Sequence, residues 1–285
     1  MKISVLTCLS LLIFVSAGLS PYQIYNGEGQ KTDFNDILKK SLESDVVLFG
    51  EFHNNAIIHW LQLELTKQLY ETKKTDLILG AEMFESDQQN IMDEYLKSVI
   101  SENSFEKEAR LWPNYKTDYK PLVLFAKKNG LDFIATNIPR RYASVTARIG
   151  LDTLKSVFSK EAKKYIAPLP IEYDPQLPGY KSMEHQGGGS PGMKYIAQAQ
   201  AIKDATMAYF ISENLYKGKL FIHFNGAYHS DNYEGIVWYL KKYKPNLKIL
   251  TISVVEQADI ENLKAEHLKL ADFIIAVDED MTKTH

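Results

Sequence analysis

Two widely separated segments of this 285-residue chain read Gly-x-x-His directly behind an apolar run. Gly50-Glu51-Phe52-His53 follows Val46-Val47-Leu48-Phe49, and Gly226-Ala227-Tyr228-His229 closes Leu220-Phe221-Ile222-His223-Phe224-Asn225. If both runs are strands of one parallel sheet, both histidines leave at the carboxyl edge, where such folds bind ligands. The glycines let the chain turn sharply out of the sheet. Glu51 and His53 are two apart and project to one side of an extended chain. Behind a further apolar run, Gly80-Ala81-Glu82-Met83-Phe84 adds a second carboxylate. His53, His229, Glu82 and Glu51 could together hold a divalent metal ion and leave a position open for water. Such water becomes a nucleophile near neutral pH, with Glu51 or Glu82 as general base. A single Gly-x-x-His is more often a loop histidine than a ligand; it is the paired occurrence, with acids alongside, that points to a site.

Other polar residues fall just past apolar runs. Asn137-Ile138-Pro139-Arg140-Arg141 offers an amide and two guanidinium groups, suited to an anion such as a carboxylate or propionate; a solvated helix start is the plain alternative. Gln200 and Asp204 lie one helical turn apart and can share a face. His185, beside Gly187-Gly188-Gly189, could close over a ligand or simply occupy a surface loop. His59 and His223 read as packing residues, and His267 and His285 as surface ones. Of 17 tyrosines, Tyr142, Tyr173, Tyr180, Tyr195, Tyr228 and Tyr233 fall near the expected crevice or its cover. Tyrosinate is an axial ligand of ferric haem, although tyrosine more commonly buries its ring and wets its hydroxyl.

The elements that must position these groups follow from periodicity. Apolar runs rich in β-formers at 45–49, 77–79, 132–135, 220–224, 248–255 and 273–277 predict strands. Helical spacing predicts helices over 55–73, 87–97, 119–129 and 195–216. The alternation predicts an α/β fold, a mostly parallel central sheet flanked by helices. Tyr22–Tyr25, turned by Asn26-Gly27-Glu28-Gly29, reads as an edge hairpin. Excess sequence at about 87–130 and 139–195 predicts helical insertions forming a smaller subdomain over the C-terminal strand ends of a single domain spanning 21–285. The Pro- and Gly-rich stretch 168–192 reads as a long loop.

Composition is ordinary: 45% hydrophobic, 24% charged and a net charge of −3, which gives no electrostatic case for nucleic acid. Lys2, the apolar stretch Ile3–Val15 and the small residues Ser16-Ala17-Gly18 read as a signal peptide over residues 1–20, cleaved near 17–20. The stretch is short for a spanning helix, so no integral membrane segment is expected in the mature chain. The single cysteine, Cys8, lies inside that leader and comes early for acylation. An exported protein without disulfides is expected, periplasmic or outer-membrane associated. Gly187–Gly192 spells both Gly-x-Ser-x-Gly and Gly-x-Gly-x-x-Gly, but no apolar strand precedes it, so it reads as neither a nucleophile elbow nor a dinucleotide fingerprint, and there is no phosphate loop.

Taken in order, Asp45-Val-Val-Leu-Phe-Gly-Glu-Phe-His53, Gly80-Ala-Glu-Met-Phe84, Asn137-Ile-Pro-Arg140, Ala199–Ala208 and Asn225-Gly-Ala-Tyr-His229 resemble the ChaN-like haem-binding uptake proteins. The resemblance runs from about Phe34 to Val255. It implies an exported protein of iron or haem acquisition, often lipid-anchored, with a parallel sheet and a smaller helical subdomain. It further implies haem held at a homodimer interface, with a tyrosine on iron, a partner histidine near a propionate, and a link to haem-transport machinery. Tyr142, Tyr180 and Tyr195 are the candidate iron ligands, unranked, and the missing acylation cysteine departs from the lipoprotein members. The same superfamily includes Tiki-like metal-dependent proteases and erythromycin-esterase-like enzymes. By that resemblance His53, His229 and Glu82, with Glu51 beside them, match a working hydrolase site.

Overall fold

The computed structural model describes residues 20–187 and 194–285; the leader expected over 1–20, Ser20 apart, and Gly188 and Gly189 lie outside the described residues. The strands are β1 (Tyr22–Asn26), β2 (Lys31–Thr32), β3 (Val46–Glu51), β4 (Leu77–Glu85), β5 (Phe133–Asn137), β6 (Leu220–Gly226), β7 (Ile249–Gln257) and β8 (Phe273–Asp278). They form one sheet in the order β2-β1-β8-β7-β3-β6-β4-β5. From β8 to β5 every pairing is parallel. The β1–β2 hairpin adds antiparallel to β8, as its turn sequence suggests.

Buried on both faces, the central strands are apolar throughout, and alternate residues feed two cores. Val47 and Phe49 of β3 join Leu79 and Ile222 under α2 (Ala56–Lys73) and α5 (Lys120–Asn129). Val46 and Leu48 join Ile78 and Phe221 under α9 (Ile196–Asn214) and α10 (Ile236–Tyr243). The ends are chemically marked. Asn55 caps α2 by accepting from the Ile57 and Ile58 N–H groups, and Gly130 ends α5 at φ +66°.

The remaining helices fill the connections: α1 (Phe34–Leu42) before β3, α3 (Gln89–Leu96) and α4 (Glu102–Glu108) between β4 and α5, and α6 (Arg140–Ile149), α7 (Leu154–Val157) and α8 (Pro178–Gly187) between β5 and α9. The stretch read as one long loop over 168–192 therefore contains a helix. The reason is packing: α8 lies against α9, and Tyr180 is buried with Ala197 and Ala201.

Sheet order decides where the chemistry meets. β6 inserts between β3 and β4 although it follows both by a long way in the chain. Glu51 at the end of β3 is therefore level with Gly226 at the end of β6. The two Gly-x-x-His segments leave neighbouring parallel strands at the same edge. Gly50 makes the approach close: a Cβ there would lie 2.9 Å from the Ile252 carbonyl oxygen and 3.0 Å from the Ala227 Cα. Since both obstacles are backbone, Gly50→Ala is expected to cost about 1–3 kcal/mol in urea unfolding. An unchanged midpoint and slope would contradict this packing.

Candidate functional site

On the β3 side the buried carboxylate of Glu51 is fully engaged. Its Oε1 accepts from His53 Nδ1 at 2.9 Å and from the Tyr119 hydroxyl at 2.8 Å, and its Oε2 from Gln62 Nε2 at 2.7 Å. With Nδ1 donating, His53 carries its acceptor on Nε2, which has no hydrogen-bond partner among the described residues. Burial pulls the His53 pKa down, but the Glu51 hydrogen bond and the charges of Glu82 and Glu51 outweigh it, and the net shift is upward. The main chain is held too: His53 O accepts from Asn114 Nδ2 at 2.7 Å and from His59 Nε2 at 3.1 Å. His59 is buried, flanked by Glu51 Oε2 at 3.7 Å and Asp118 Oδ2 at 3.6 Å. It orients the loop rather than merely filling space. Thr284 closes this network from outside, donating its hydroxyl to Asp118 at 2.7 Å and its N–H to Asn54 O at 2.9 Å.

On the β4–β6 side, Glu82 accepts the Gly226 N–H at 2.8 Å and His229 Nε2–H at 3.1 Å. His229 Nδ1 is hydrogen-bonded to Asp204 of α9, whose other oxygen accepts from Tyr180 at 2.7 Å. An imidazole between two buried carboxylates is held as imidazolium. Burial opposes the charge, yet Glu82 and Asp204 push the His229 pKa up to about 10. Burial alone would raise Glu82, but His229, His53 and the Gly226 N–H bring it well below the usual carboxylate range. For Asp204 burial wins and the shift is upward. Glu82 is thus the main counter-charge. Gln200 lies 3.0 and 3.2 Å from the two ring nitrogens; both already donate, so the charge favours its amide oxygen toward the ring.

A cavity of about 370 Å³ opens between the two groups, walled by His53, Glu82, Asn137, Arg140, Lys203 and His229. It shares Glu85, Trp112 and Arg140 with a groove of about 750 Å³ that also carries Arg110 and Arg141. Trp112 sets its ring edge-on to His53, centroids 4.9 Å apart. Asn137 donates to Glu82 O at 2.9 Å, leaving its buried Oδ1 without a partner.

The expected residues divide accordingly. Glu51, His53, Glu82, Asn137, Arg140, Gln200, Asp204 and His229 meet at the strand ends, while Arg141 is paired with Asp87 at 2.7 Å on the groove wall. Tyr180 is no cover residue: its hydroxyl is buried on Asp204. Tyr228 is 43% exposed and reaches Gly179 O. Tyr142 rests on Phe158 and takes a 3.3 Å contact from Arg141. Tyr195 precedes α9 and packs by Gly150. None of these four lines the cavity or the groove. His185 falls on α8, but its side chain lies outside the described residues. Nor is the expected metal cluster assembled: among the described residues no three His, Asp or Glu are placed to hold a metal ion. The four proposed ligands instead form two hydrogen-bonded pairs, Glu51–His53 and Glu82–His229. Trp112, Tyr119, Asn114, Asp118 and Lys203 had no distinguishing sequence signal, except that Lys203 is three residues from Gln200 and so near its helical face.

Comparison with known proteins agrees with this architecture. A family model described as haem-binding uptake, Tiki superfamily, ChaN matches residues 37–240. No curated protein matches the sequence. A Campylobacter jejuni ChaN, in a structure described as showing cofacial haem binding, aligns with TM-score 0.65 at 17% identity, covering 90% of this chain and 97% of that one. A Bacillus cereus protein aligns with TM-score 0.51 at 12% identity, over 90% and 94% of the two chains. At such identities the likeness is one of fold.

The histidines of β6 and its loop should titrate in opposite directions. Burial drives His223 down to about 4, while His229 rises to about 10. At pH 7.5, nitrogen NMR should show His229 doubly protonated and His223 neutral; a neutral His229 would overturn the ion cluster. Because the folded value of His229 exceeds its unfolded one, about 6.5, its stabilisation is complete below pH 6.5 and fades as pH rises through about 10. His229→Gln is accordingly expected to cost about 3–5 kcal/mol below pH 6.5, and less as pH approaches 10.

Proposed function

Since this chain belongs to the haem-binding uptake family of the Tiki superfamily that includes ChaN, we propose that it is an exported haem carrier whose ligand lies in the strand-end groove. The family match carries this reading. The residues of the groove fit the ligand: Trp112 offers an aromatic wall, Arg140 a cation for a carboxylate, and His53 Nε2 and Asn137 Oδ1 are free polar atoms beside it. The apolar leader supports export to the periplasm or outer membrane, and among the described residues no helix is long and apolar enough to cross a membrane.

A second copy would close the groove. Phe52 and Tyr228, each one residue before a site histidine, are 38% and 43% exposed, which supports a homodimer face there. Residues 21–285 would act as one domain, with the insertions at about 87–130 and 139–195 shaping the groove. Delivery to haem-transport machinery follows from the carrier role.

One observation favours a second reading. The Glu51–His53 pair leaves Nε2 facing a polar cavity, the arrangement of a general base oriented by a carboxylate. In that reading the protein hydrolyses an ester or peptide without the Glu82–His229 pair acting as ligands.

Hemin titration of the exported protein, followed in the visible spectrum, separates the two. The carrier reading expects saturable binding, a shift toward dimer in sedimentation on loading, and unchanged hemin affinity in Glu51→Gln. Unsaturable uptake, together with ester hydrolysis that falls about 100-fold or more in Glu51→Gln, would replace it with the hydrolase.

A further inference from the structure

We propose that the site grips its ligand through carboxylates, using Arg140 and Lys203, and so selects a porphyrin dicarboxylate whether or not it carries iron. This rests on the haem-binding reading and narrows it. Arg140 opens α6 directly behind β5, Lys203 lies on α9 beside Asp204, and both line the cavity that holds His53 and His229. Among the described residues neither makes an ion pair. The other arginines of the groove are committed: Arg110 to Glu85 at 2.7 Å and to Asp87, Arg141 to Asp87.

The acids in the cavity are already neutralised. Glu82 faces the His229 imidazolium and the Gly226 N–H, and Glu85 faces Arg110. What remains unspent is positive charge from two side chains on two different elements. Paired cations of this kind at a polar cavity suit an oxyanion or carboxylate.

Provision for iron is poorer. No tyrosine lines the cavity or the groove, and the hydroxyls of Tyr180, Tyr228 and Tyr142 face Asp204, Gly179 and Arg141. Of the two histidines in the cavity only His53 leaves a ring nitrogen, Nε2, without a hydrogen-bond partner among the described residues. Carboxylate contacts should then dominate affinity.

Fluorescence and absorbance titrations with hemin, protoporphyrin IX and hemin dimethyl ester test this. Protoporphyrin IX should bind within about 3-fold of hemin, and the ester should bind at least about 10-fold more weakly, the scale of one lost charge-assisted contact. Arg140→Gln and Lys203→Met should each weaken both acids about 10-fold and leave the ester unchanged. Ester binding equal to hemin, or hemin binding without protoporphyrin IX binding, would overturn the proposal while leaving haem binding intact. If none of the three binds, the haem reading itself falls, and this inference with it.

Discussion

Glu82 is the carboxylate around which the strand-end site is built. It is buried, and an unpaired buried charge costs several kcal/mol. Two donors offset that cost: the Gly226 N–H from β6 and the His229 imidazolium, itself held by Asp204 from α9. One side chain therefore ties β4, β6 and α9 together. It also sets what the neighbours can be. A Cβ at Gly226 would lie 3.0 Å from the His53 ring and 3.5 Å from Glu82 Oε2, so a side chain there would press on the His53 imidazole.

The two histidines of the repeated pattern consequently differ in role. His229 has both nitrogens engaged and is a fixed internal cation. His53 has one nitrogen engaged, is part exposed, and presents the other to the cavity. The outward charge of the site comes from Arg140 and Lys203, since the nearer acids are spent on partners within the protein. An internally neutralised floor with a cationic rim is suited to holding an anionic, flat ligand more than to assembling a metal centre.

Much of this was readable in the sequence. The apolar runs at 45–49 and 220–224, each ending in Gly-x-x-His, place both histidines at one edge once a parallel sheet is inferred. The one-turn spacing of Gln200 and Asp204 puts both beside His229. Two things were not readable. The insertion of β6 between β3 and β4 is a choice of strand order that no local periodicity encodes, and it is what sets Glu82 against His229. The Trp112–Tyr119 segment carries no amphipathic period; its turn of π-helix at Tyr115–Tyr119 sets the Tyr119 hydroxyl on Glu51, and Asn114 just before it donates to His53 O. At Tyr180 the nearby Pro and Gly suggest a loop, whereas burial against α9 gives a helix.

In our proposal haem occupies the groove at the ends of β3, β4 and β6. Paramagnetic broadening of amide and indole NMR signals by ferric haem tests it most directly. With haem bound there, the Gly226 and His229 amides and the Trp112 indole should lose intensity first as hemin is added. Losses centred instead on the cavity of about 490 Å³ beside Gly130, Asn214 and Tyr216, with Gly226 and Trp112 intact, would contradict it.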